Sequence, residues 1–200
     1  MTVIGITGPS GAGKSMLSEL FKSKKIPVID ADSVYHELLV PPSACLDALV
    51  DAFGTQILNE SGELDRTTLS HVVFNDAQKL ALLNETVLDF VLDEIRDIIS
   101  LLEGAGERAV AVDAPTLIES GFHKECDEVI SVLSDTDIRI SRIVERDGIG
   151  RDAATERVKA QNPDSFYAEH SSHIIVNNGE REDFLSRSEK LMSELGLLSQ

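Results

Sequence analysis

The chain has 200 residues, 42% of them hydrophobic and 26% charged, with a formal charge of −17; that length allows one sizeable core with a smaller insertion, but not two full domains and a linker. So acidic a surface repels phosphate backbones and argues against a general nucleic-acid binder, although a local cluster of N–H groups and basic side chains can still hold a small anion. No apolar run reaches the roughly 18 residues of a membrane span, the N-terminus lacks a basic region followed by a long apolar stretch, and Cys45 and Cys126 are too few and too far apart for a disulfide scaffold. The expectation is therefore a cytoplasmic protein with buried thiols, no membrane partner and no nucleic-acid partner; oligomeric state is left open.

Taken in chain order, short apolar runs alternate with helical patterns, which is the mark of an α/β fold with a parallel sheet. Thr2–Thr7 reads as a first strand and Lys14–Lys24 as a helix with Leu17, Leu20 and Phe21 on one face. Ile26–Ile29 reads as a second strand, running into Asp30-Ala31-Asp32. From about Pro41 to Gly106 the alternation stops and the segment reads as wholly helical. Leu80, Leu83, Val87, Val91, Ile95, Ile98 and Leu102 follow spacings of three and four, so they predict one long amphipathic helix that ends at Gly104-Ala105-Gly106. Ala109–Val112, closed by Asp113, reads as a third strand, Glu128–Leu133 as a fourth and Ser172–Val176 as a fifth. A last helix spans about Glu180–Leu195. The predicted organisation is a P-loop nucleotide-binding core over 1–40 and 107–200, with a five-stranded parallel sheet flanked by helices. It carries a helical insertion at 41–106 and a helical lid at about 139–161.

Gly8-Pro9-Ser10-Gly11-Ala12-Gly13-Lys14-Ser15 matches G-x-x-x-x-G-K-[ST] in full, with a strand before it and a helix after it. Small residues let backbone N–H groups turn around phosphate oxygens, and the helix N-terminus adds positive potential. Lys14 can reach the β- and γ-phosphates, and Ser15 can offer a hydroxyl to Mg²⁺. The nucleotide-contacting set is Gly8, Gly11, Ala12, Gly13, Lys14, Ser15 and Met16. The motif alone says nucleotide rather than reaction. Nothing resembles the base-reading N/T-K-x-D motif of GTPases, and the short chain with its loop at the extreme start favours a small-metabolite kinase using ATP.

Ligands of open α/β sheets gather at the carboxyl ends of the strands, and two strands here end in Asp. Asp113 has a Walker-B-like setting, suited to orienting a water on Mg²⁺. Asp30 and Asp32 alternate onto one side of the chain. A kinase needs a carboxylate near the acceptor hydroxyl, and Asp32 is equally well placed to N-cap a helix starting at Ser33. Arg139, Arg142, Arg146, Arg151, Arg157 and Lys159 then crowd together in an otherwise acidic chain. Arg142 and Arg146, four apart, share a helix face and read as lid residues that shield transferring phosphate. Glu145, Asp147, Asp152 and Glu156 make a solvated, ion-paired face the reading for Arg139 and Lys159. The histidines offer no metal-ligand spacing beyond the pair His170 and His173, to which no metal is assigned.

These residues support a family resemblance over nearly the whole chain, from Ile4 to about Gly179. Its most specific element is Ile26-Pro27-Val28-Ile29-Asp30-Ala31-Asp32 after the loop helix. Others are Leu64-Asp65-Arg66 with Leu69 and Phe74; Pro115 with Leu117 and Glu119; Arg142 with Arg146-Asp147; and Arg157 with Gln161, then Asn177 and Gly179. The order and spacing of these elements resemble dephospho-coenzyme A kinase. The resemblance implies a P-loop kinase core, a helical domain for the coenzyme A moiety and a lid. It implies transfer of the ATP γ-phosphate to the ribose 3′-hydroxyl of dephospho-coenzyme A. By position it implies Asp32 as the acceptor-orienting base, Lys14 as a phosphate contact, Arg146 and Arg142 as lid residues and Asn177 near the adenine. The chain departs from the family pattern at Pro9-Ser10, Leu88-Asp89, Pro115-Thr116 and Ser171-Ser172. Another P-loop small-molecule kinase, or a nucleotide-binding regulatory module without phosphoryl transfer, stands as the alternative.

Overall fold

Thr2–Thr7 (β1) and Ala109–Asp113 (β3) are fully apolar, β-branched or small through their centres, the composition of strands buried on both faces. They form the middle of one sheet in a computed structural model that describes residues 1–73 and 76–198. Phe74 therefore lies outside the described residues. Val28–Asp30 (β2), Glu128–Leu133 (β4) and His173–Val176 (β5) complete the sheet in the order β2-β3-β1-β4-β5. β1 runs parallel to β3 and to β4, and β4 runs parallel to β5. The register sets Ile6 beside Asp113, Thr7 beside Ser131 and Leu133 beside Val176. The carboxyl ends of these strands thus open on one edge, where the chain enters the glycine-rich loop.

Residues 14–23 form a helix, Lys14–Ser23 (α1), and residues 181–194 another, which is the last in chain order, Arg181–Glu194. Leu17, Leu20 and Phe21 from the first and Phe184 and Met192 from the second pack on Ile4, Ile6, Ile130, Val132 and Ile175. Ser171 and Ser172 are used as staples: Ser171 Oγ meets Ser131 Oγ at 2.6 Å, and Ser172 Oγ accepts the Val129 N–H at 3.2 Å.

The chain forms two compact units, Met1–Ile29 with the residues from Leu102 onward, and Asp30–Leu101. The second contains Ala31–Glu37 (α2), Ala44–Phe53 (α3), Arg66–Val73 (α4) and most of Ala77–Gly104 (α5). Leu39, Cys45, Leu49, Phe53, Ile57 and Leu69 form its core. The segment from Pro41 to Gly106 is not wholly helical. A 3₁₀ turn at Thr55–Ile57 leads into a polar loop in which Asn59 Oδ1 accepts the N–H groups of Ser61 and Glu63, at 2.9 and 3.0 Å. An isolated bridge joins Leu58 to Leu64 across it. Asn and Ser bonding to their own backbone compete with helix here. Of the stripe along α5, Ile95 is buried while Leu80 is 47% exposed.

Both thiols are free. Burial pushes Cys126 up to about 12, with Asp127 and Glu125 adding to the effect, and burial also raises Cys45. The thiolate is the reactive species. Native protein at pH 8 is expected to react negligibly with a disulfide reagent, whereas denatured protein exposes two thiols; prompt labelling of the folded chain would contradict this burial.

Candidate active site

The phosphate loop leaves β1 at Gly8 and closes into α1 at Lys14. The N-cap residue of α1 is Gly13, and no side chain caps that end. The Met16 N–H turns back onto the Gly13 carbonyl at 3.1 Å, and the helix dipole adds positive potential at this end, which favours an anion. Gly13 has φ 108, and a Cβ there would overlap Asn177 Nδ2. Lys14 Nζ donates to the Gly8 carbonyl at 2.8 Å, tying the two ends of the loop together.

Residues from four later elements and their ends surround the loop's outer side. Thr136–Asp147 (α6) and Arg151–Lys159 (α7) form a hairpin sealed by Ile140, Ile143, Ala154 and Val158. Asp164–Glu169 (α8) follows, and then β5, after which comes Asn177. Arg142 Nη1 lies 3.2 Å from the Gly11 carbonyl and 3.3 Å from the Ala12 carbonyl, and Nη2 lies 3.1 Å from the Asn177 carbonyl. Asn177 is 1% exposed and donates its own Nδ2 to the Ala12 carbonyl at 2.8 Å. Arg146 is exposed; it pairs with Asp147 at 2.7 Å and reaches Ser10 Oγ at 3.3 Å. Asp147 also takes Arg157. The Arg146 bond holds the Asp147 carboxyl below its usual value, and the same bond raises Arg146.

Arg139 is the residue that sequence reasoning misplaced. It was expected on a solvated face, yet it is 4% exposed and its Nε donates to the Ser10 carbonyl at 3.1 Å. Burial lowers Arg139, against the pull of Asp164 upward, and lowers Arg142 as well. Guanidinium stays charged in proteins regardless. The available signal was spacing: Arg139, Arg142 and Arg146 stand three and four apart, so one helix face carries all three. Lys159 does sit in solvent, paired with Glu156 at 2.8 Å.

Asp113 is held beside the loop helix, where Ser18 Oγ donates to its Oδ2 at 2.5 Å. The loop, Met16, Asp113, Asn177 and the arginines all belong to the first unit, while Asp32 belongs to the second. There the cap question has an answer. Asp30 accepts the N–H groups of Asp32 and Ser33, so Asp30 caps α2 and Asp32 is an exposed first-turn residue without that duty.

A parallel sheet with a phosphate loop after its first strand and an arginine-bearing hairpin behind the loop is the architecture of the P-loop kinases. Shikimate kinase from Acinetobacter baumannii shares the fold, with a TM-score of 0.54 at 18% identity over 98% of this chain and 96% of that one. Residues 2–183 match the family model described as dephospho-CoA kinase. The dephospho-CoA kinase of Lactobacillus johnsonii is 34% identical over 96% of this chain and 98% of its own. That of Arabidopsis thaliana is 34% identical over 98% of this chain and 84% of its own. The solved structure of TT1252 from Thermus thermophilus superposes with a TM-score of 0.81 at 27% identity, covering 97% of both chains. The chain belongs to the dephospho-CoA kinase family.

Proposed function

We propose that this protein transfers the γ-phosphate of ATP to the ribose 3′-hydroxyl of dephospho-CoA, yielding CoA. The observation that carries the reading is an intact phosphate loop, held open at an uncapped helix end, in a chain that matches this family over residues 2–183. Gly8, Gly11, Ala12, Gly13, Lys14, Ser15 and Met16 bind the nucleotide phosphates, with Lys14 countering their charge. Arg146 closes over the phosphates from the lid. Arg142, whose donors are spent on loop carbonyls, serves by holding the loop in shape. Asn177 sets the same loop and borders the nucleotide. Asp32 orients the acceptor hydroxyl and draws its proton.

Mg²⁺ is part of this proposal. Among the described residues no cluster of three or more His, Cys, Asp or Glu could cage a metal. The oxygens of Ser15 and Asp113 suit a hard cation that keeps water and phosphate as its other ligands. Bound there, it would neutralise charge building on the phosphates. On the acceptor side, the second unit has a cavity of about 270 Å³ lined by Tyr35, Arg66, Ser70, Leu39, Leu69 and Leu83. Arg66 offers a cation for the pyrophosphate of dephospho-CoA, and the leucines offer an apolar wall for its arm.

The test is ADP release by purified protein with ATP, Mg²⁺ and a panel of acceptors. Dephospho-CoA is expected to turn over to CoA, and EDTA to stop it. Turnover of a nucleoside, nucleotide or shikimate without turnover of dephospho-CoA would replace the acceptor. ATP binding with no turnover at all would make the chain a regulatory module.

A further inference from the structure

Ser10, at the crown of the phosphate loop, is held by every polar atom it has. Its N–H donates to Gln161 Oε1 at 3.2 Å, its carbonyl accepts from Arg139 Nε at 3.1 Å, and its hydroxyl lies 3.3 Å from Arg146 Nη2. Arg139 Nη2 donates to the same Gln161 oxygen at 2.6 Å, so that one oxygen joins the Ser10 N–H to the guanidinium that holds the Ser10 carbonyl. The remaining corner of the guanidinium faces Asp164 at 3.7 Å. A guanidinium this buried is costly unless its donors are used. Here they are used on the loop and on the residue that clamps it, and phosphoryl transfer as derived above gives Arg139 no part.

We infer that Arg139 is a positioning residue for ATP, which holds the Ser10–Gly11 peptide in the orientation that receives phosphate while Gln161 holds the adjoining Pro9–Ser10 peptide. A trans peptide is planar, with C=O and the next N–H on opposite sides. Drawing the Ser10 carbonyl onto Arg139 turns the Gly11 N–H away from α6. Arg142 holds the next two carbonyls, and the Ala12 N–H turns back onto the Pro9 carbonyl at 3.3 Å. The loop is thus ordered during folding instead of during binding, which favours affinity. Without Arg139 the Ser10 peptide can flip and set a carbonyl, rather than a donor, against the phosphates. Gln161 lies two residues beyond the end of α7, so the clamp also fastens the hairpin to the loop. The inference deepens the kinase reading and rests on it.

The experiment compares full-length wild type with Arg139→Ala, Arg139→Lys, Gln161→Met and the Arg139→Ala/Gln161→Met double variant. It measures the Kd for ATP-Mg²⁺ by calorimetry and kcat and KM for both substrates. Arg139→Ala is expected to raise the Kd and KM for ATP about tenfold, since it orphans the Ser10 carbonyl. The KM for dephospho-CoA should stay within about twofold. Arg139→Lys should restore part of the affinity, because an ammonium reaches one of the acceptors. Gln161→Met should weaken ATP severalfold, and the double variant should fall short of the product of the two effects, since the two side chains bond to each other and both hold Ser10. Unchanged ATP affinity in Arg139→Ala and Gln161→Met, with a lowered Tm alone, would make Arg139 a packing residue and overturn the inference. If Arg139→Ala does not fold, unchanged affinity in both Arg139→Lys and Gln161→Met overturns it equally. Wild type that binds no ATP would overturn the kinase reading itself, and the inference with it.

Discussion

Asp32→Asn is expected to lower kcat for dephospho-CoA by about 10²–10⁴-fold while leaving the KM for ATP within about twofold. The substitution keeps shape and hydrogen-bonding capacity but removes the group that takes the acceptor proton. Asp32 is free for that work because Asp30 does the capping, accepting the N–H groups of Asp32 and Ser33 at 3.0 and 3.2 Å. The two carboxylates should therefore separate cleanly. Asp30→Ala removes an N-cap and is expected to cost about 1 kcal/mol of stability, with a smaller effect on kcat. Asp32→Asn should leave the Tm nearly unchanged. Steady-state kinetics of ADP release and a thermal melt on both variants check this. An Asp32→Asn enzyme with full kcat would remove Asp32 from the chemistry.

Two carboxylates two residues apart also show what the chain could and could not disclose before its structure. Alternation places Asp30 and Asp32 on one side, but it does not say which one caps, since that depends on where α2 begins. The phosphate loop was legible because its eight residues are contiguous and flanked by a strand and a helix. Its supports were legible only in part, because they come from far along the chain. Asn177 bonds Ala12 across 165 positions and Arg139 bonds Ser10 across 129. Local charge patterning credited Arg139 with acidic neighbours in solvent, whereas its guanidinium is buried on a carbonyl and an amide and only one corner faces the exposed Asp164. Periodicity likewise found α5, but it says only which face is apolar, not how much of that face is covered. Ile95 is 2% exposed and Leu80 47% on the same stripe. The same reading carried a helix through Asn59–Glu63, where side-chain bonds to the backbone hold a loop.

The residues that carried the family resemblance prove to be linked physically. Arg157 holds Asp147, Asp147 holds Arg146, and Arg146 reaches Ser10. Gln161 holds the Ser10 N–H, and Arg142 and Asn177 hold the carbonyls that follow. Leu64-Asp65-Arg66 has a separate use in the second unit. Asp65 accepts the N–H groups of Thr67 and Thr68 and so caps α4, while Arg66 lines the cavity proposed for the acceptor.

Gly8→Ala is expected to cost about 3 kcal/mol or more, lowering the Tm by about 6–12 °C for a chain of this size, and to abolish measurable ATP binding. Gly8 has φ 134, which L side chains rarely adopt, and a Cβ there would overlap the Val132 carbonyl oxygen. Val132 cannot yield. It is fully buried in β4, which is paired with β1 on one side and β5 on the other. Relief has to come from the loop, and moving Gly8 displaces the carbonyl that receives Lys14 Nζ. Fold and binding are therefore lost together. Gly13→Ala makes the informative contrast. Its Cβ would meet Asn177 Nδ2, a side-chain amide that can turn aside at the expense of its bond to the Ala12 carbonyl. The strain of φ 108 remains, but no strand has to shift. The Tm should accordingly fall less for Gly13→Ala than for Gly8→Ala, while ATP binding suffers in both. Thermal melts and calorimetry on the pair decide it. Equal Tm losses would mean that the loop, and not the β4 backbone, sets the cost.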